Sequence, residues 1–419
     1  MKKTETLIGF IFGLLLLILG KTLLSSNMLF FRLIIGIALG YTLSRGYTGF
    51  AGSVNRAYRT GSTRLMRTMM MMFFITTLLS TAFLFNSDPA SYDLWVNPIN
   101  LGLLLGGILF GFGMTFSSCC ASGVLTDLVT ALPRALITLV FFAFGVFIGF
   151  PVQNSSSWVK ESWFTSPIGK KLYGGVYLPD LFKWDGLNGY LGALIFTGLL
   201  SGVVILFAHY YESKRKAAGT YTGHFGEKIQ DIEVAETKEE VTTETDWYKR
   251  LFVNAWSLRK AAVILASLFT LLMGITKAGW GASTPYGLWF GKVMMVFGVS
   301  ADQLASFTKM PVEAYSTPFF QHPVSVQNFG IIMGTLLFLL TSGTFIKVFT
   351  SELRISSKEA RFFVLGGFLM GFGTRLSNGC NVGALYTPIA NFSLSGWIFF
   401  VFLVLGGILG NIIAKKVKL

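Results

Sequence analysis

All three cysteines of this 419-residue chain fall inside two glycine-rich stretches, LGGILFGFGMTFSSCCASGVL from Leu105 and LGGFLMGFGTRLSNGCNVGAL from Leu365. At a fixed offset of 260 residues, 11 of the 21 positions are identical, and Cys120 falls on Cys380, Ser117 on Ser377 and Gly123 on Gly383. Three cysteines without CxxC spacing cannot build a disulfide framework, so each thiol is a question about a site. Around them lie Ser117, Ser118 and Ser122 in the first stretch, and Thr374, Arg375, Ser377, Asn378 and Asn381 in the second. Hydroxyl and amide side chains supply donors, and a short helix opening near Gly123 or Gly383 would add backbone N–H groups and a positive dipole end. A thiol is a soft, weak donor that suits a sulfur atom or a soft metal better than a hard oxyanion. The combination points to a small anion that carries sulfur.

The bland reading stands beside this one. A buried free cysteine behaves as a small hydrophobe, and GFG flanked by small residues signals close helix packing. Duplication of the whole pattern weighs against it for Cys120 and Cys380, while Cys119, opposite Gly379, reads first as a packing residue. Arg375 lies in an apolar neighbourhood, where an ionisable group is a functional hypothesis, with snorkelling or carbonyl pairing as the alternative. Arg45 and Lys277 are read as lining an electropositive vestibule. The run Met69 to Met72 is read as packing, and His209, His224 and His322 show no ligand spacing, so no metal or cofactor is expected.

The elements that must position these groups are membrane helices. Hydrophobic residues make up 53% of the chain, charged residues 13%, and mean hydropathy is +0.62, too apolar for a soluble fold of this size. Runs such as Leu7 to Leu24, Leu101 to Met114, Leu136 to Pro151, Leu191 to His209, Ala261 to Thr276, Ile331 to Phe349 and Trp397 to Ala414 approach or reach the roughly 18 to 20 residues that span a bilayer. Backbone groups in lipid must be satisfied internally, which predicts an all-α, polytopic fold. Lys2 and Lys3 before an apolar run imitate a signal peptide, but the run is long and lacks a small-x-small cleavage site, so it is read as the first membrane helix. The net charge of +14 sits beside apolar runs, where the positive-inside rule accounts for it, and nucleic acid is not implied.

A polar segment, residues 212–250, divides the chain into membrane halves at 1–211 and 251–419, and its basic ends place it in the cytoplasm. An earlier, looser echo pairs SRGYTGFAGS from Ser44 with TKAGWGAS from Thr276. Two halves with paired, glycine-interrupted segments predict two pseudo-symmetric repeats with a site at their interface. The short stretches around the cysteines are expected to be re-entrant, because irregular backbone at membrane depth belongs beside protein or a watery path. Trp158, Trp163 and Trp184 mark residues 153–185 as an outer loop with interfacial aromatics.

GFGTRLSNGCNVGAL from Gly371, SLSGWIFF from Ser393, the stretch from Gly106 to Gly123 and RGYTGFAGSVNRAYRTG from Arg45 together resemble the YeeE/YedE sulfur-transport family. The resemblance implies an hourglass-like helical membrane fold of two pseudo-symmetric halves with short helices dipping inward. It also implies an inner-membrane permease that passes thiosulfate along cysteine thiols without altering it. Cys120 and Cys380 would be two of those thiols, and Gly49 stands where the family's third cysteine would fall. A sulfur-accepting protein, if one exists, would be a separate chain on the cytoplasmic side. Two other functions stay open at this point: a thiol or persulfide sulfur relay, and a soft-metal carrier.

Overall fold

The computed structural model describes residues 2–239 and 246–417, so Glu240 of the polar segment's acidic cluster lies outside the described residues. In chain order the principal helices are α1 (Lys2–Leu23), α2 (Asn27–Arg45), α3 (Gly52–Thr60), α4 (Arg64–Leu84), α5 (Leu101–Ser117), α6 (Gly123–Thr130), α7 (Leu132–Ser155), α8 (Tyr190–Ala217), α9 (Phe225–Glu239), α10 (Leu258–Thr276), α11 (Thr284–Val296), α12 (Pro323–Thr341), α13 (Ser357–Leu376) and α14 (Leu394–Lys416). No strand occurs among the described residues. Eight of these helices, α1, α2, α4, α7, α8, α10, α12 and α14, are long and apolar enough to cross a membrane.

Local sequence sets the helix ends. Asn100 accepts the amide of Leu103 at 3.0 Å to open α5, and Ser356 with Glu359 forms a reciprocal capping box on α13. The apolar run 331–349 is not one helix: α12 stops at Thr341, and Gly343 turns the chain at a φ of +66° before a second short helix, Phe345–Ser351.

The centre is built from α5, α7, α13 and α14. α5 packs against both α13 and α14, and α7 against α13, while α2 pairs with α12 and α4 with α10 around them. The GFG glycines explain how these backbones come so close. A Cβ on Gly111 would lie 2.1 Å from the Leu403 carbonyl oxygen, and one on Gly371 would lie 2.1 Å from that of Phe142. Packing is therefore what these two glycines do. α1 and α8 stand at the periphery with Leu7, Leu14, Leu199 and Leu206 exposed, as expected of surfaces that face lipid.

Arg56, Arg59, Arg64, Arg67 and Arg215 gather at one end of the bundle, called here the linker face. There α9 is docked rather than free. Glu227 is buried and accepts from Ser62 Oγ at 2.5 Å and pairs with Arg56 at 3.5 Å. Gln230 donates to the Gly46 carbonyl at 2.7 Å.

Candidate functional site

The two cysteine motifs fold alike locally. α5 ends at Ser117 and the chain turns at Ser118, φ +56°; α13 ends at Leu376 and the chain turns at Asn378, φ +57°. Ser117 Oγ donates to the carbonyls of Gly113 (3.0 Å) and Cys119 (3.3 Å), and Ser377 Oγ to those of Gly373 (2.9 Å) and Gly379 (3.0 Å). These hydroxyls hold the turns in shape. Neither Ser117 nor Ser377 lines the cavities described next.

Those turns deliver the thiols to the middle of the protein. Cys120 and Cys380 are 1% and 0% exposed, yet each lies beside a cavity. On the linker face, a cavity of about 500 Å³ is lined by Gly49, Arg56, Arg59, Ser118, Cys119, Cys120 and Gly123 among others. On the opposite face, one of about 280 Å³ is lined by Asp93, Trp95, Gln153, Ser283, Thr284, Arg375, Asn378 and Gly383 among others. Cys380, between Gly379 and Asn381, follows directly on that second lining.

The Cys120 sulfur sits 3.5 Å from Ser122 Oγ and within reach of the backbone groups of Gly123 and Ala51. Cys120 and Cys380 lie near one another, and Tyr286 lies near all three thiols. The buried Tyr286 hydroxyl donates to the Ala121 carbonyl at 2.5 Å, which ties α11 to the first motif just after Cys120. Gly123 lies against the thiol: a Cβ there would come 3.5 Å from Cys120 Sγ, an ordinary contact.

Arg375 heads the second cavity. Its guanidinium donates to Gln153 Oε1 (3.3 Å), Thr284 Oγ1 (3.3 Å), Ser283 Oγ (3.2 Å) and Thr374 Oγ1 (3.2 Å), and lies over the Phe150 ring at 5.3 Å. Every one of these acceptors is neutral, and no ion pair with Arg375 occurs among the described residues. A buried cation whose direct partners are all neutral has charge left for an anion, although Asp93 lines the same cavity without bonding to it. Asn378 is fixed in the same wall by Gln153 Nε2 at 2.6 Å.

Arg45 and Lys277 do not share a vestibule. Arg45 is buried against the start of α10, donating to the carbonyls of Asn254 (2.8 Å), Arg250 (2.7 Å) and Leu251 and lying 4.5 Å over the Trp256 ring. Lys277 caps the far end of that helix, 5.5 Å over Tyr92, so the roughly 28 Å length of 19 helical residues separates them. Neither lines either cavity. Of the other expected residues, Cys119, Ser118 and Gly49 face the linker-side cavity with Cys120, while Arg375, Asn378 and Gly383 face the other.

Sequence reasoning missed Trp95 and Tyr286. Trp95 is wedged between two glycines: a Cβ on Gly281 or on Gly383 would each lie 2.5 Å from its ring. The GWG at 279–281 was a signal that something large approaches that loop; a lone tyrosine after Pro285 offered none. His224, on the polar segment, lines the linker-side cavity, and burial together with Arg56 holds its imidazole down at about 4. Among the described residues no group of three or more His, Cys, Asp or Glu side chains could hold a metal ion.

Comparison with known proteins places this geometry in context. The sequence profile of the family described as sulphur transport matches residues 45–409. The thiosulfate transporter TsuA of Spirochaeta thermophila is 25% identical over 90% of this chain and 97% of its own. TsuA of Escherichia coli is 22% identical over 91% of this chain and 93% of its own. The probable transporter YedE of Salmonella typhimurium is 29% identical over 35% of each chain, so this chain spans about a third of that relative's length in the match.

Proposed function

Because the chain belongs to the sulphur transport family, we propose that this multi-pass membrane protein is an inner-membrane permease for thiosulfate or a closely related small sulfur-containing anion, conducted past Cys380 and Cys120 without chemical conversion. The observation that supports the proposal most is two buried, neighbouring thiols, Cys120 and Cys380, beside two cavities on opposite faces of the bundle. The clustered arginines of the linker face make it the cytoplasmic one by the positive-inside rule, and the Arg375 cavity is then external.

The anion first meets Arg375, which replaces part of its hydration shell with charge-assisted hydrogen bonds. Trp95 and Gly383 form the narrow passage beyond. The terminal sulfur then contacts the Cys380 and Cys120 thiols in turn, and the anion leaves through the cavity lined by Arg56 and Arg59. Thiols are weak donors, and weak successive contacts suit conduction, since a site must bind well enough to admit the ion yet release it. The two thiols are almost fully buried, which disfavours a persulfide relay that needs an exposed, reactive thiolate.

The same proposal includes two pseudo-symmetric halves, 1–211 and 251–419, joined by a cytoplasmic segment at 212–250, with α6 and residues 381–390 as re-entrant elements. The matched turns at Ser118 and Asn378 support it, as do the reciprocal pairings of α2 with α12 and α4 with α10. A separate sulfur-accepting protein on the cytoplasmic side is compatible with the accessible linker-side cavity. Uptake of labelled thiosulfate into proteoliposomes, with sulfate, sulfite and tetrathionate as competitors, tests the substrate. Saturable uptake inhibited most by anions with a terminal sulfur is expected, and uptake no greater than that of protein-free liposomes refutes it.

A further inference from the structure

On the linker face, a second cavity of about 670 Å³ lies away from the thiols and shares no lining residue with either cavity beside them. It sits where α4, α8, α9 and α10 meet, with Arg64, Arg67 and Arg259 at its polar side and Met71, Ile205 and Leu258 at its apolar side. We propose that it binds the headgroup of an anionic glycerophospholipid from the surrounding leaflet. The inference is independent of what the permease carries.

Three observations converge on this ligand. The first is charge. Arg64 is held bidentate by Asp231 at 2.5 and 2.8 Å, and Arg67 by Glu212 at 3.1 Å. Glu212 is shared with Lys216 at 2.8 Å, and no hydrogen bond or ion pair holds Arg259 among the described residues, so the cavity keeps an excess of positive charge that suits the negative charge of a phosphodiester. The second is the backbone. α4 opens with Arg64 and Arg67, and α10 with Arg259 and Lys260, neither with an acid in its first turn. A helix N-terminus already carries partial positive charge, so cations there raise the potential that an anion would relieve.

The third is position. Arg64, Arg67 and Arg259 lie in the first turns of the membrane-spanning helices α4 and α10, at the ends read above as cytoplasmic, and basic pockets between helix ends on that side take lipid phosphates. Gln230, another lining residue, is held by its Nε2 on the Gly46 and Trp256 carbonyls, and its buried Oε1 has no hydrogen-bond partner.

Native mass spectrometry of the full-length protein, delipidated in detergent and titrated with phosphatidylglycerol, phosphatidylethanolamine or inorganic phosphate, tests this. One bound phosphatidylglycerol should survive activation that strips phosphatidylethanolamine, and inorganic phosphate should not displace it. Arg259→Gln, which breaks no contact in the structure, should weaken phosphatidylglycerol retention about fivefold, the effect of one arginine near the membrane surface. Arg354→Gln, at an exposed cation outside this cavity, should leave it unchanged. Equal retention by Arg259→Gln and the parent, equal loss in Arg354→Gln, no preference between the two lipids, or displacement by inorganic phosphate would each overturn the assignment.

Discussion

Replacing Arg375 with glutamine removes the only cation that, among the described residues, lines the external cavity, while keeping a polar group in the space. The parent guanidinium makes four hydrogen bonds, all to neutral oxygens, so its charge is available to an entering anion. A charge-assisted hydrogen bond contributes about 1.5–3 kcal/mol. At about 1.4 kcal/mol per decade, Arg375→Gln should raise the KM for thiosulfate uptake roughly 10- to 150-fold. Arg375→Lys keeps the charge but loses the fork that spans Ser283, Thr284 and Gln153, so its KM should fall between the two. Folding should survive, because the substitution also removes a buried charge that has no counter-ion. Initial rates over a range of thiosulfate concentrations in proteoliposomes, with thermal unfolding of each variant alongside, measure both effects. A KM for Arg375→Gln within twofold of the parent, with the variant folded, would refute the assignment of Arg375 as the external anion site.

Three further outcomes follow from single positions. Gly49 lines the linker-side cavity with nothing within 4 Å of a built Cβ, so Gly49→Cys should fold like the parent. A membrane-impermeant maleimide applied from the cytoplasmic side should add one more label than the parent takes, counted by mass spectrometry; an unchanged count contradicts the placement. Gly383→Ala puts a methyl 2.5 Å from the Trp95 ring, so the indole must move. A loss of about 1–3 kcal/mol in stability and a larger fractional loss of uptake are expected, and unaltered uptake would show that Trp95 does not border the path. His224 is held at about 4, below its ordinary value, by burial and Arg56, so it is neutral at pH 7. Its contribution to stability is intact above about pH 6.5, falls as the pH drops toward 4 and levels off below that. Unfolding of His224→Gln and the parent compared across pH 4 to 7 checks this: the parent should lose the additional stability as the pH falls, and identical pH profiles would contradict it.

Most of the thiol geometry was legible because it was written twice. The 260-residue offset that aligned Cys120 with Cys380 also aligned Ser117 with Ser377 and Ser118 with Asn378, and the structure gives each pair the same backbone turn. The chemistry assigned to the serines was less legible. Ser117 and Ser377 look like ligand donors in sequence, but the helix end leaves carbonyls in need of partners, and the nearest hydroxyl takes them. The clustering of Arg45 and Lys277 failed for another reason. Both follow an apolar helix in a similar local pattern, but pattern carries no direction, and the two helices end on opposite faces. α4 and α13 were weak as apolar runs because threonines dilute the first and Lys358, Glu359 and Arg361 the start of the second. Trp95 and Tyr286 reach the site through tertiary packing from segments without a repeated motif, which a single sequence does not encode as a pattern.

The central claim is that the path runs past both repeated thiols, and cysteine substitution tests it most directly. Initial uptake of labelled thiosulfate should be measured in proteoliposomes containing the parent, Cys120→Ala, Cys380→Ala or Cys119→Ala, each shown by thermal unfolding to be folded. Uptake should fall to the protein-free background for Cys120→Ala and for Cys380→Ala and persist for Cys119→Ala. Transport by Cys120→Ala and Cys380→Ala at the parental rate would contradict the account.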